Sequence, residues 1–507
     1  MNTRISDRLR VALGKKYLDW VEKRPEVGGS GTIAMLQRIR KHQRQESEAS
    51  YTRSRPLENC EIEVLWFRLI EVFHIEECDQ LLQRLPRLFP ELEGGPLFGR
   101  EGFQDAFKYQ AGRISGGAYW RLGRIVRDTG KWLLPRPVRD MRKLPVEVDY
   151  VEVWLRKILP SMFIVTLDVH LTDEATQQLV RLQDKHYLSE IRFEKLIPRG
   201  PTGDGYSWIG SKAIMQRTIL HWLKRLRGEV ETCIRPFVSG YFAQWSSDKT
   251  ARLPAIEVYA LKGVTKGESV GEWVRSARGW WESFGFALYG YDTYSDGKVL
   301  FLPKDKLLGT SDEVTHRLLV LWEEYIQSID TKGHGNDKRA VARHTEDTLT
   351  ALLPCIAVQE VLHCLQRDLE QKRQKLFGAM KPSRFSSVRL GKHLKLNDVV
   401  LQTSMLLDRI SAEFEQEKAW FRHDMRELAE LKTVKGFGDT EPRALTDALF
   451  DSIDFRVQLL DKHVSFAKDW LSQYVTLRNT AATYLLAVVV GIATIISAVL
   501  AWLELRQ

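Results

Sequence analysis

The stretch Leu167-Asp168-Val169-His170 sets a carboxylate and an imidazole two residues apart. On a strand that spacing puts both side chains on one face, where a carboxylate orients a histidine for acid–base work or shares a metal ion with it. The alternative is a solvent-facing strand edge. A second candidate is the loop GPTGDGYSWIGSK, in which Gly203, Gly205 and Gly210 precede Ser211 and Lys212 at the start of a helical run. Backbone N–H groups in such a turn draw anions such as phosphate. Its spacing is not that of a Walker loop, so the alternative is an ordinary surface loop. A third is the basic stretch Arg121, Arg124, Arg127, Lys131, Arg136, Arg139, Arg142 and Lys143, which suits either an anionic ligand or a solvated face. The aromatic run RGWWESFGFALYGY offers rings for stacking a sugar or base, or simply for a core.

Other chemistry finds no foothold. There is no HExxH, no paired CxxC and no G-x-S-x-G, and the 12 histidines are dispersed. No catalytic residue, cofactor or metal ligand is assigned, and the reading leans away from an enzyme.

The elements that must hold these residues fall into an α+β head, a long helical, coiled-coil-like stalk and one C-terminal transmembrane helix. Residues 1–55 form a basic N-terminal helix and a polar linker. From 56 to 306 the pattern is mixed. EVLWFRLIEVFHI and MFIVTLDVHL read as strands, followed by the helical runs EECDQLLQRL and TDEATQQLVRL. The two units resemble each other, down to His74 and His170 near the strand ends, and suggest a duplication. ALYGYDTYSDGKVLFLP reads as a hairpin turning at Asp296-Gly297.

Beyond Lys306 the pattern turns helical, with a connector over 307–376. Thr310 and Glu313 make a capping-box signal for a helix through Ile329, and TKGHGNDK marks a boundary. Helices are expected over 340–376, 397–433 with Asn397 as its cap, and 443 to the end. In the last of these, Val457, Leu460, Val464, Ala467, Leu471 and Tyr474 recur at alternating spacings of three and four, an a/d seam. The last two helices form an antiparallel stalk hairpin over 397–480.

From Asn479 to Leu503 no residue is charged. Roughly 20 apolar residues span a bilayer core, so 481–503 is read as a transmembrane helix, with 504–507 a short tail. Lys462, Lys468 and Arg478 precede it and the chain carries a net charge of +9, so the bulk is placed in the cytoplasm, on an inner or plasma membrane. The N-terminus has no apolar signal region, and the five cysteines suit a reducing compartment.

If the hairpin is antiparallel, residue 397 lies near the bilayer. The basic loop over 377–396 and the residues before it carry Lys372, Arg373, Lys375, Lys381, Arg384, Arg389, Lys392 and Lys395, without an acid among them. Anionic lipid contact is the expected use, with nucleic acid disfavoured for a membrane-pinned loop. Along the span, Thr483, Ala487, Gly491, Thr494, Ser497 and Ala501 make a face of small and hydroxylated residues, suited to self-association or to lining a pore.

This succession of head, long helices and a stalk running through LLDKHVSFAKDWLSQYVTLRNTAATYLLAVVVGIATIISAV resembles the layout of CorA-type magnesium channels over the C-terminal third. The family's Gly-Met-Asn motif and second span are absent here, so no site residue is carried over. Three functions remain open: a membrane-anchored sensor or scaffold whose head binds a protein or small anionic ligand, an oligomeric channel or membrane-perturbing effector, and a tethered enzyme acting on a phosphate-bearing substrate.

Overall fold

The computed structural model describes residues 60–93, 102–112, 118–127, 138–185, 187, 190–193, 206–245, 252–263, 293–303, 314–330, 337–379, 387–428, 430–433 and 442–504, with isolated positions before residue 60. The expected basic segment 1–55 and the aromatic run near 280 thus fall largely outside the described residues. The chain forms two compact units. One comprises the residues up to Pro354 together with Trp420–Ala448, the other Cys355–Ala419 with the residues from Leu449 on.

The first unit is an α+β fold around a ten-stranded mixed sheet. Its central strands are β1 (Glu61–His74) and β5 (Met162–Leu171), which are apolar, rich in branched and aromatic residues and buried along nearly their whole length. On one side of them follow β4 (Val148–Leu159), β2 (Tyr119–Val126) and β3 (Val138–Asp140). On the other lie β8 (Ala255–Lys262), β11 (Val314–Leu321), β10 (Val299–Pro303), β9 (Tyr294–Ser295) and β12 (Lys432–Thr433). Neighbours pair antiparallel except β8 with β11 and β2 with β3. The helices α1 (Cys78–Leu88), α2 (Gly102–Ala111), α3 (Asp173–Asp184) and α4 (Ser211–Ile234) accompany the sheet, with the small hairpin β6 (Glu190–Phe193) and β7 (Tyr206–Ile209) before α4.

Both expected strand–helix units exist. Thr172 caps α3, its hydroxyl accepting the Ala175 N–H at 3.2 Å. Their strands are adjacent and antiparallel, with His74 opposite Met162 and His170 opposite Trp66, so the two histidines sit at opposite ends of the pair and form no common site. The hairpin at Asp296-Gly297 is also present. Asp296 Oδ1 accepts the N–H groups of Lys298 and Val299 at 2.8 and 2.9 Å, and Gly297 takes a φ of 88°, a conformation open to glycine.

The helix expected from Thr310 to Ile329 is different. Thr310 and Glu313 lie outside the described residues, Val314–Leu321 is β11, and only Trp322–Asp330 is helical, as α5. A local capping signal yields here to pairing with β8 and β10 in the interior of the sheet. The head therefore runs well past the expected boundary at 306, to Pro354, and takes back Trp420–Ala448.

Three long helices follow: α6 (Lys338–Ala379), α7 (Ser387–Asp424) and α8 (Leu445–Glu504), the last an unbroken 60 residues. Helix α7 starts before the expected 397 and stops short of 433, so Asn397 is an interior residue, not a cap. The basic loop expected over 377–396 is correspondingly narrower, since both its ends are helical. Past α7, Leu428 and Leu431 are buried and Lys432–Thr433 joins the sheet.

Among the described residues, one helical stretch is long and apolar enough to cross a membrane by length and composition, Lys338–Gln371. It lies mid-chain, not at the C-terminal position expected, and 78% of its apolar window is buried inside the protein. Its hydrocarbon is thus spent on the protein's own core. The described apolar part of α8, Leu486–Ser497, is shorter, and each of its residues is exposed.

Candidate functional site

Alternation along a strand sends Trp66 and Arg68 of β1, Asp168 and His170 of β5, and Tyr150, Glu152 and Arg156 of β4 to the same face of the sheet. Pairing aligns them into rungs. Trp66, His170 and Tyr150 make one, and Arg68, Asp168, Glu152 and Arg124 the next. In the first rung the His170 ring is stacked between Tyr150, at 4.2 Å between centroids, and Trp66, at 5.9 Å. In the second, Arg68 donates to both oxygens of Asp168, Nε at 2.5 Å and Nη2 at 2.7 Å, a fork-to-fork ion pair with both side chains almost fully buried. Glu152 Oε1 receives both Arg121 and Arg124. Arg124 lies 4.1 Å over the Tyr150 ring and Arg121 5.1 Å over Trp154.

The start of α6 covers this face with matching groups. Thr345 Oγ1 accepts the Trp66 indole N–H at 3.0 Å, Glu346 Oε1 lies 2.8 Å from His170 Nε2, and Thr350 Oγ1 accepts from Arg68 Nη1 at 3.3 Å. Pro354 sits inside α6 and has no N–H to give the Thr350 carbonyl four residues back. Arg156 Nη1 takes that carbonyl instead. Its Nη2 donates to Asp424 Oδ2 at 3.0 Å, and the guanidinium lies 6.0 Å over Trp420. A helix with an internal proline is therefore held to the sheet by the arginine that fills the vacancy the proline leaves.

The electrostatics follow from burial. Burial pushes the Asp168 carboxyl above the usual carboxylate range, against the pull of Arg68. Burial, helped by Glu346, takes Tyr150 up to about 12, so its hydroxyl keeps its proton. With both Asp168 oxygens held by Arg68 and His170 Nε2 facing Glu346, the pair is not set up as base and orienter for a substrate. No group of His, Cys, Asp or Glu among the described residues has the arrangement to hold a metal ion. What this face does chemically is fix a helix to a sheet through a self-paired charged layer.

The opposite face carries other buried charge. Glu257, across from Phe67, holds Arg227 at 2.7 Å and Arg317 at 3.4 Å and accepts the Tyr259 hydroxyl. Glu71, also on that face, accepts the N–H groups of Val72 at 3.0 Å, Phe242 at 2.8 Å and Ala243 at 3.2 Å, the last two from the π-helical turn Tyr241–Trp245.

The other sequence candidates separate. Asp168 and His170 do share a face but serve different partners. Of the basic stretch, Arg121 and Arg124 converge on Glu152, Arg127, Arg139, Arg142 and Lys143 are exposed, and Lys131 and Arg136 lie outside the described residues, so the run lines no single site. Gly203 and Gly205 also lie outside; Gly210 is the N-cap of α4, before Ser211 and Lys212. Sequence reasoning missed Trp66, Arg68, Glu152, Arg156 and Glu346. Its available signal was a charge inside an apolar strand, as in LWFRLIEVF.

In the second unit Leu460 and Val464 of the seam are buried, and Val457 and Ala467 half-buried; the side chains of Leu471 and Tyr474 lie outside the description. Thr483, Ala487, Gly491, Thr494 and Ser497 are exposed along α8, and the Ala501 side chain is not described. Of the basic residues, Lys372, Arg373 and Lys375 are on α6, and Arg389, Lys392 and Lys395 on α7. The side chains of those six are outside the description, while Lys381 and Arg384 lie outside the described residues altogether.

Set against known protein families, curated proteins and solved structures, the chain matches none.

Proposed function

We propose that this is a single-pass membrane protein whose segment 481–503 lies in the bilayer. The sheet unit is a non-catalytic cytoplasmic head that binds or scaffolds a protein or small anionic ligand, and the long helices are the stalk that relays its state. One observation carries the membrane reading. Helix α8 is continuous from the buried Leu460 and Val464 into a stretch where Tyr484 is 70% exposed, Leu486 67%, Val488 60%, Ile492 53% and Ile495 64%. Burying a Val, Leu or Ile side chain is worth about 1.5–3 kcal/mol, so a row of them left in water is a large standing cost that hydrocarbon removes. The self-paired charged face of the sheet supports a head without catalysis.

The test is flotation. The full chain reconstituted into phosphatidylcholine vesicles should float with them, and a chain lacking residues 481–507 should stay in the soluble fraction. Flotation of the shortened chain would end the anchor reading.

In the same proposal the small-residue face of α8 serves self-association. A Cβ added at Gly491 meets nothing within 4 Å, so a single chain tolerates a side chain there. Gly491→Leu with Ser497→Leu should therefore lower the mass of the protein in mild detergent, and an unchanged mass removes self-association from the proposal.

A further inference from the structure

The contacts inside the second unit fix the level of each helix along α8. Lys418 Nζ of α7 lies 3.0 Å from Asp454 Oδ2, and Ser404 Oγ of α7 accepts from Lys468 Nζ at 2.7 Å. Ser404 and Lys418 are as far apart on α7 as Asp454 and Lys468 are on α8, and they run the opposite way, so the two helices are antiparallel in constant register. On α6, Gln359 Nε2 donates to Ser452 Oγ at 2.7 Å and His363 Nδ1 lies 3.3 Å from Arg456 Nη1, which advance together, so α6 runs parallel to α8.

Continued at that register, Lys395 comes level with Leu477, Lys392 with Thr480 and Arg389 with Thr483. These positions straddle the point where charge disappears from α8, just past Arg478. Lys372, Arg373 and Lys375 come level with Ser465, Phe466 and Lys468, roughly 20 Å or more short of Ala481 at the helical rise. That separation decides between them. Charges in solvent are screened over about 8 Å at physiological salt, so the α6 group is too far back to feel a membrane surface that begins near Ala481.

We propose that the first turns of α7, through Arg389, Lys392 and Lys395, together with Arg478 of α8, form a basic collar that binds anionic lipid headgroups of the membrane holding α8. This rests on the anchor reading. Between Glu370 and Asp398 the chain has no acid to neutralise the collar. Basic residues at an apolar boundary favour the headgroup level, and the register brings position 389 level with Thr483. The expected lipid contact of the whole basic segment thus narrows to its α7 end.

The experiment is hydrogen–deuterium exchange on the full chain, in phosphatidylcholine vesicles and in phosphatidylcholine vesicles containing phosphatidylserine. Peptides covering residues 387–396 should exchange several-fold more slowly with phosphatidylserine present, up to about fivefold per basic residue. Arg389→Gln, Lys392→Gln, Lys395→Gln should abolish the difference, while Lys372→Gln, Arg373→Gln, Lys375→Gln should keep it. Equal exchange in the two vesicle types, or a difference that survives the α7 substitutions, overturns the collar and leaves the anchor standing when the protein still floats. Failure to float on either vesicle overturns both.

Discussion

Asp168 and Glu71 are buried carboxylates on neighbouring central strands, on opposite faces of one sheet, and the two faces treat them differently. Asp168 meets a guanidinium that grips both its oxygens. Glu71 is surrounded by backbone N–H groups, and burial outweighs these and raises it to about 8. Burial pushes both toward the protonated form; at Asp168 a full positive charge opposes the push, and at Glu71 only N–H dipoles do. The lesson is that burial sets the direction for both carboxylates, and the partners at their oxygens set how strongly it is opposed.

The contrast is broken most severely on the paired side. Asp168→Ala leaves Arg68 buried at 2% exposure without its carboxylate, and Thr350 offers it a single long hydrogen bond. Removing one member of a buried pair costs about 3–5 kcal/mol, so the urea midpoint of the detergent-solubilised chain should fall sharply. Replacing the pair by apolar groups of similar size, Arg68→Met with Asp168→Leu, should recover most of that loss, because the pair's Coulomb attraction is spent largely on its own desolvation. A double variant as unstable as the single one would show that the charged layer is needed to align α6 on the sheet.

Much of the sheet was legible in the sequence, and for definite reasons. β1 and β5 show as apolar branched and aromatic runs, the hairpin shows through Asp296-Gly297, and the run TDEATQQLVRL shows α3. The strand β11 was not legible, since VTHRLLVL has neither strict alternation nor a turn beside it and becomes a strand only through β8 and β10. The α7 boundaries failed for a similar reason: Asn397 is a good cap by type, yet the helix runs through it. At the site, the pairing of Asp168 with His170 on one face was readable from their spacing. Their true partners, Arg68 and Glu346, are distant in sequence, and no spacing rule reaches across strands or to a helix laid on them. The apolar end of α8 needed only length and charge to be noticed, and its exposure in the fold is what gives that pattern its weight.

The proton-keeping side predicts a pH dependence whose sign is opposite to that of most carboxylates in folded proteins. In the unfolded chain Glu71 loses its proton near its ordinary 4.5, while in the folded protein it holds it to about 8. Between those values the folded state binds more protons than the unfolded one, so stability falls as pH rises. The slope from this one group is at most about 1.4 kcal/mol per pH unit, and it vanishes below the lower value and above the upper one. Glu71→Gln has no proton to lose, and its amide oxygen can keep the bonds from Val72 and Phe242 that Oε1 makes, at the cost of the weaker one from Ala243. Urea unfolding between pH 5 and pH 8 should then give a flatter profile for the variant than for the wild type. Parallel profiles would mean that the N–H groups around Glu71 hold it as an anion, and the two faces of the sheet would then differ only in the donors they use.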